Sequence, residues 1–257
     1  MKRFVPLVLT FTLAGLAIAD TVRVTAEDAG NCRLRIGYEV TGGTEVPVAI
    51  GLDICLSGPA IFSGVVSASP YFPIYPGSLL IEGGGIIDYG TPVADAFYPG
   101  TLGGMGTSGV TIEMGVAGEP LEEFGPRDFN GDARVDLIDL VIFVGHWLET
   151  TESTFLEPDL DHDGVVDFLD YGIFVDGRYD FPPLVMGELL LLQLDGKGAT
   201  TTTVTIFENV VRGGIVGEPG VVLEVMLPEP FTMVVPEPAT VLLVGLGSLA
   251  LTRKRRA

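Results

Sequence analysis

The sequence predicts a mainly β chain: an antiparallel β-sandwich interrupted by a small α-helical segment. Three observations lead there. Apolar residues alternate with period two in short runs bounded by Gly and Pro. These runs fall in two blocks, 20–117 (98 residues) and 184–229 (46 residues), whose sum of 144 is an ordinary size for one domain. Between them lie two acidic stretches, each leading into an apolar run.

The strands are justified in chain order. Leu34, Ile36, Tyr38 and Val40 alternate with polar or small residues. Val46, Val48, Ile50, Leu52, Ile54 and Leu56 do the same over eleven residues, the signature of a half-buried strand. Pro47 cannot donate to a ladder, so the start of that strand is expected at an edge. Val110, Ile112 and Met114 form a third run, and 188–194, 200–207 and 221–227 form three more. Three strands make a poor independent unit, so one sandwich from 20–117 plus 184–229 is the economical reading, with 118–183 inserted at an exposed loop. Tyr75-Pro76-Gly77-Ser78 and Tyr98-Pro99-Gly100-Thr101 put Pro and Gly at the centres of type II turns. Tyr71, Phe72, Tyr89 and Phe97 lie nearby; core packing accounts for them, and a sugar-binding platform is the alternative.

The acidic stretches carry the chemistry. Residues 128–139 and 159–170, offset by 31, place oxygen-bearing side chains at loop positions 1, 3, 5, 9 and 12. A hard cation such as Ca2+ takes six to eight oxygens, and a twelve-residue turn leading into a helix supplies them at this spacing. In the first loop Asp128, Asn130 and Asp132 offer side-chain oxygens, Arg134 its carbonyl, Asp136 a direct or water-bridged oxygen, and Asp139 closes the site. The second loop repeats these roles with Asp159, Asp161, Asp163, Val165 (carbonyl), Asp167 and Asp170. Two Ca2+ sites are therefore expected. Gly164 suits the sharp turn at position 6; Ala133, in the same place, costs about 1–2 kcal/mol in a left-handed conformation. Val135 and Val166, at position 8, are apolar and can face the partner loop, and His162 is a solvated bystander.

Closure by Asp rather than Glu, with Gly125-Pro126 where an entering helix would stand, resembles a type I dockerin repeat over roughly 124–178. The resemblance implies paired calcium loops whose helices dock a cohesin and help assemble polysaccharide-degrading enzymes. Positions 10 and 11 are Leu137-Ile138 and Phe168-Leu169, apolar where dockerins often carry small hydroxylated residues, and these are expected to pack within the protein. In strand pattern and size the body resembles cohesin-like and carbohydrate-binding sandwiches.

Both ends read as addresses. Met1-Lys2-Arg3, an apolar run from Phe4 and Ala17-Ile18-Ala19 form a signal peptide over 1–19. Within a linker and tail assigned to 230–257, Pro236-Glu237-Pro238 is followed by an apolar stretch of 14 residues and then Arg253-Lys254-Arg255-Arg256. That order resembles a PEP-CTERM sorting signal. It implies transient membrane anchoring through the tail and processing by an exosortase at the envelope of a Gram-negative-type bacterium. A plain single-span anchor is the alternative, although 14 residues fall short of the roughly 20 that a spanning helix needs.

The formal charge is −20, and 119–180 alone holds 17 acidic and three basic side chains, so that stretch contributes −14. Such self-repulsion opposes compaction unless cations neutralise it, and it argues against nucleic acid as a partner. Export permits Cys32 and Cys55 to pair; two reduced thiols are the alternative. No catalytic constellation is recognisable. His146, beside Trp147, reads as structural, Gly106-Thr107-Ser108-Gly109-Val110 lacks the last glycine of a nucleophile elbow, and the densest carboxylates are assigned to the cation. The expected function is an exported, non-enzymatic structural or protein-interaction role; the alternative is a carbohydrate-binding module acting on surface or extracellular polysaccharide.

Overall fold

The computed structural model describes residues 21–42, 45–122, 125–150, 158–176, 178, 184–196 and 200–235. The expected signal peptide and the sorting tail from 236 lie outside them. The elements are β1 (Thr21–Gly30), β2 (Arg33–Thr41), β3 (Ala49–Leu56), β4 (Ile61–Ala68), β5 (Leu80–Glu82), β6 (Gly85–Asp88) and β7 (Gly109–Gly115), then α1 (Leu137–Gly145) and α2 (Phe168–Val175). β8 (Met186–Asp195), β9 (Thr200–Glu208), β10 (Ile215–Gly217), β11 (Val221–Val222), β12 (Glu224–Met226) and β13 (Phe231–Val235) follow.

Two sheets dominate. The first runs β12-β1-β2-β8-β4, antiparallel except for the β12–β1 edge pair. In the second, β3 is central: β7 pairs along its length, while β9 and β10 pair with successive halves of it. β11 extends from β10 and β13 from β9; β5 and β6 form a separate hairpin. Both large sheets combine strands that precede the acidic segment with strands that follow it.

Alternation sets the inner faces. Val22 and Val24, Leu34 and Ile36, and Leu190, Leu192 and Leu194 are buried from the first sheet. Ile50, Leu52 and Ile54 meet them from β3, with Val110, Ile112 and Met114 opposite on β7, all in one hydrophobic cluster. Each such aliphatic side chain contributes about 1.5–3 kcal/mol on full burial.

Several expectations change here. β3 is interior, not an edge, because it begins at Ala49 and leaves Pro47 outside the ladder, where no amide is required. Its outer face is covered too: Gly51 bonds along the β3 edge to the 209–214 turn, through Gly51 N to Gly214 O (2.8 Å) and Asn209 N to Gly51 O (3.0 Å), and a Cβ there would stand only 3.1 Å from Arg212 Cβ. The run 221–227 divides at buried Leu223 into β11 in the second sheet and β12 in the first. β13 occupies residues assigned to the linker, and buried Met233 and Val235 hold it to β9. Gly100 takes a left-handed φ of 67°, as a type II turn requires, whereas Pro76–Ser78 forms a 3-10 turn. Phe72 is buried against Tyr38 and Tyr71, but Phe97 is 94% exposed. Cys32, in the β1–β2 turn, and Cys55, on β3, are unbonded thiols.

The helices lie against the outer face of the second sheet. There Glu113 of β7 (1% exposed) forms an ion pair with Arg212 (0% exposed). Arg212 also donates to Pro99 O (2.7 Å) and Thr101 Oγ1 (2.9 Å). Trp147, just beyond α1, donates Nε1–H to Glu113 Oε2 at 3.2 Å, and the Tyr171 hydroxyl of α2 donates to Val116 O. Burial raises the Glu113 carboxyl above the usual range, while Arg212 pulls it back toward ionisation.

Truncating one partner of a buried pair leaves the other desolvated and uncompensated. Arg212→Met is expected to lower the unfolding free energy by about 3–5 kcal/mol, seen as a lower urea midpoint. Trp147→Phe, which keeps an aromatic ring but loses the donor, should cost less.

Candidate metal centre

Each helix begins at the end of an acidic loop, for the same local reason. Asp136 caps α1 by accepting Ile138 N (2.8 Å), and Asp139 reaches back to accept Asp136 N (2.8 Å). Asp167 caps α2 through Leu169 N (2.7 Å), and Asp170 accepts Asp167 N (2.9 Å). These reciprocal capping boxes satisfy amides that the first helical turn leaves orphaned. Residues 125–127 before the first loop are not helical.

The two loops share a backbone course. Left-handed φ values occur at position 4 (Gly131 75°, His162 64°) and position 6 (Ala133 67°, Gly164 94°). Each loop thus has one glycine and one strained non-glycine. The closing carboxylates make matching contacts: Asp139 Oδ1 accepts Phe129 N (2.8 Å) and Asn130 N (3.3 Å), and Asp170 Oδ1 accepts Leu160 N (2.6 Å) and Asp161 N (3.0 Å).

At positions 1 to 7 the loops diverge. Asp128 Oδ1 accepts Gly131 N (2.8 Å) and Asp132 N (3.1 Å), and its Oδ2 accepts Ala133 N (2.9 Å). Asn130 accepts Asp132 N (2.8 Å) and donates to Asp132 Oδ2 (3.2 Å); Asp132 Oδ1 accepts Arg134 N (3.0 Å). In the second loop Asp159 is 0% exposed; its Oδ2 accepts Gly164 N (3.1 Å), but its buried Oδ1 has no hydrogen-bond partner. Asp161 Oδ1 accepts Asp163 N (3.0 Å), and Asp163 Oδ1 accepts Val165 N (2.9 Å).

Asp159, Asp161 and Asp170 converge, each offering one oxygen within 4.8 Å of the others. Asp163 and Asp167 lie outside that triad, and the first loop forms no comparable group among the described residues. A carboxylate with one orphaned, fully buried oxygen, converging with two further carboxylates, fits a hard cation, which takes oxygens alone. Burial pushes Asp167 up to about 7 and Asp170 up to about 6, and it also raises Asp161, whose neighbours Asp163 and Asp159 add to the effect.

The position-8 valines, Val135 and Val166, are buried. Their amides are satisfied outside the partner loop: Val135 pairs with Leu121 (2.8 and 3.1 Å), and Val166 pairs with Leu148 and Glu149 (2.8 and 3.2 Å). Phe168 is buried and meets Trp147 edge-on at 5.0 Å, whereas Leu137 and Ile138 are exposed because α1 buries Leu140, Val141, Phe143 and Val144 instead. His146 contacts Glu149 (2.8 Å) at the end of α1, and His162 is exposed. Sequence reasoning missed Arg178. Buried and 4.5 Å over the Phe174 ring, it donates to Glu119 O (3.1 Å), Phe174 O (3.3 Å) and Val135 O (3.1 Å), joining both loops to β7's exit.

Ala133→Gly removes a Cβ from a left-handed position and should raise stability by up to about 1 kcal/mol in a chemical melt. Without a cation, raised Asp167 and Asp170 bind more protons folded than unfolded from 3.8 upward. Stability present at low pH should therefore fall as pH rises through 6 and 7; melting temperatures in chelator should show that fall, and melts in Ca2+, which holds the carboxylates ionised, should not.

Residues 234–256 match the family described as PEP-CTERM protein-sorting motif, a match that begins inside β13. The acidic loops and sheets match neither a dockerin nor a cohesin family, and no curated protein or solved structure matches the chain. The matched motif marks an exported protein, sorted to the cell surface of a Gram-negative bacterium and processed there by an exosortase.

Proposed function

We propose that this surface-sorted protein is a non-enzymatic structural or protein-interaction component whose acidic loops bind Ca2+ and so brace the helices against the second sheet. The observation that carries the reading is the buried Asp159 Oδ1 without a partner, on a carboxylate that converges with Asp161 and Asp170. A desolvated carboxylate with an empty acceptor is costly, and a divalent cation supplies both the missing partner and the countercharge. The twelve-residue spacing, the shared left-handed positions and the −14 charge of 119–180 support the same conclusion. The bracing role rests on Trp147 and Tyr171, which bond directly to β7 and its exit. The partner, in this reading, is a surface protein or an extracellular polysaccharide. A dedicated sugar platform gains less support, since Phe72 belongs to the core.

The test is calorimetric titration of CaCl2 into the purified, chelator-treated protein, with parallel thermal melts. Binding should be saturable and should raise the melting temperature, with about 2.7 kcal/mol of added stability at a hundredfold excess over Kd. The absence of both binding heat and a melting shift would defeat the reading.

A further inference from the structure

Resting on that calcium reading, we infer that the two loops are unequal in role: the second holds the tight, resident cation that clamps α2 to the second sheet, and the first fills later and weakly. Charge count is the first ground. The second loop offers five carboxylates at the ligand positions, whereas the first offers four, with Asn130 at position 3 and Arg134 at position 7. Calcium affinity follows ligand charge and site rigidity. Prior satisfaction is the second. Asp128 already receives three backbone amides on its two oxygens, and the Asn130 amide occupies Asp132 Oδ2. Among the described residues Asp159 receives one amide, and its other oxygen is buried and unpartnered.

A closed ring of contacts then ties the second loop to the sheet. The position of a Cβ on Gly213 (φ 76°) lies only 3.3 Å from Asp167 Oδ1. Gly213 follows Arg212, which pairs with Glu113. Glu113 accepts the Trp147 indole N–H, and Trp147 packs on Phe168, the neighbour of Asp167. Ordering the second loop therefore fixes the groups that dock the helices. The first loop reaches the sheet only from its end, where Val135 O accepts from Arg178; its positions 5 to 7, Asp132, Ala133 and Arg134, are exposed.

The test uses near-isosteric changes at two exposed positions, Asn130 and Asp161, and at half-buried Asp128, with each variant's fold checked by its melt without cation. CaCl2 is titrated calorimetrically, with thermal melts, into the full protein and into Asp161→Asn, Asn130→Asp and Asp128→Asn. The native protein should show two events at least about tenfold apart in Kd, the tighter one carrying most of the melting shift. Asp161→Asn should weaken the tight event by about tenfold or more and remove most of the shift. Asn130→Asp should strengthen the weak event only, and Asp128→Asn should abolish the weak event while the shift remains. Equal events, or loss of the tight event in Asp128→Asn, would overturn the inference while leaving calcium binding intact. No binding by the native protein would defeat the functional reading itself.

Discussion

Everything outside the two-sheet core depends on how a dense set of carboxylates is brought against a sheet. Asp159, Asp167 and Asp170 are all buried, and few positive charges stand near them in sequence. Desolvating like charges together is unfavourable, and the protein meets that cost in part. Backbone amides from the loops and helix starts absorb part of the negative charge. Asp159 Oδ1 remains without a partner, and the triad to which Asp159 belongs could hold a metal ion. Burial raises the Asp167 and Asp170 carboxyls for the same reason, by disfavouring their charged forms.

A second buried electrostatic element, Glu113 with Arg212, works differently. It is complete within the chain, because Arg212 donates to a carboxylate, a carbonyl and a hydroxyl. Its contribution is placement: the turn that carries Arg212 lies on β3, and the carboxylate it holds receives Trp147 from beyond α1. The buried ion pair and the helices that follow the acidic loops thus meet on one face of the second sheet. The helices are short, eight and nine residues, and isolated helices of that length are marginal in water, so tertiary docking must supply their stability.

Period-two alternation made β2, β3, β7, β8 and β9 legible, because their inner faces are continuous apolar rows. The convergence of Asp159, Asp161 and Asp170 was legible because their spacing is a local property. Sheet order was not, since nothing local says that β10 and β9 divide one edge of β3 between them or that Leu223 passes from one sheet to the other. The docking residues were hidden for a related reason. Glu113 sits in an apolar strand 99 positions from Arg212, and only the fold brings them together. The sequence set the loops apart only at position 6, Ala133 against Gly164; the orphaned oxygen of Asp159 required the structure. β13 was missed because its alternating Phe231, Met233 and Val235 run directly into the sorting motif.

The most direct measurement is anomalous diffraction from crystals of the protein grown with Ca2+. The account predicts a strong peak coordinated by Asp159 Oδ1, Asp161 and Asp170, with α2 seated on the second sheet as described. Well-ordered second-loop carboxylates around no cation at saturating Ca2+, with the helices still docked, would contradict it.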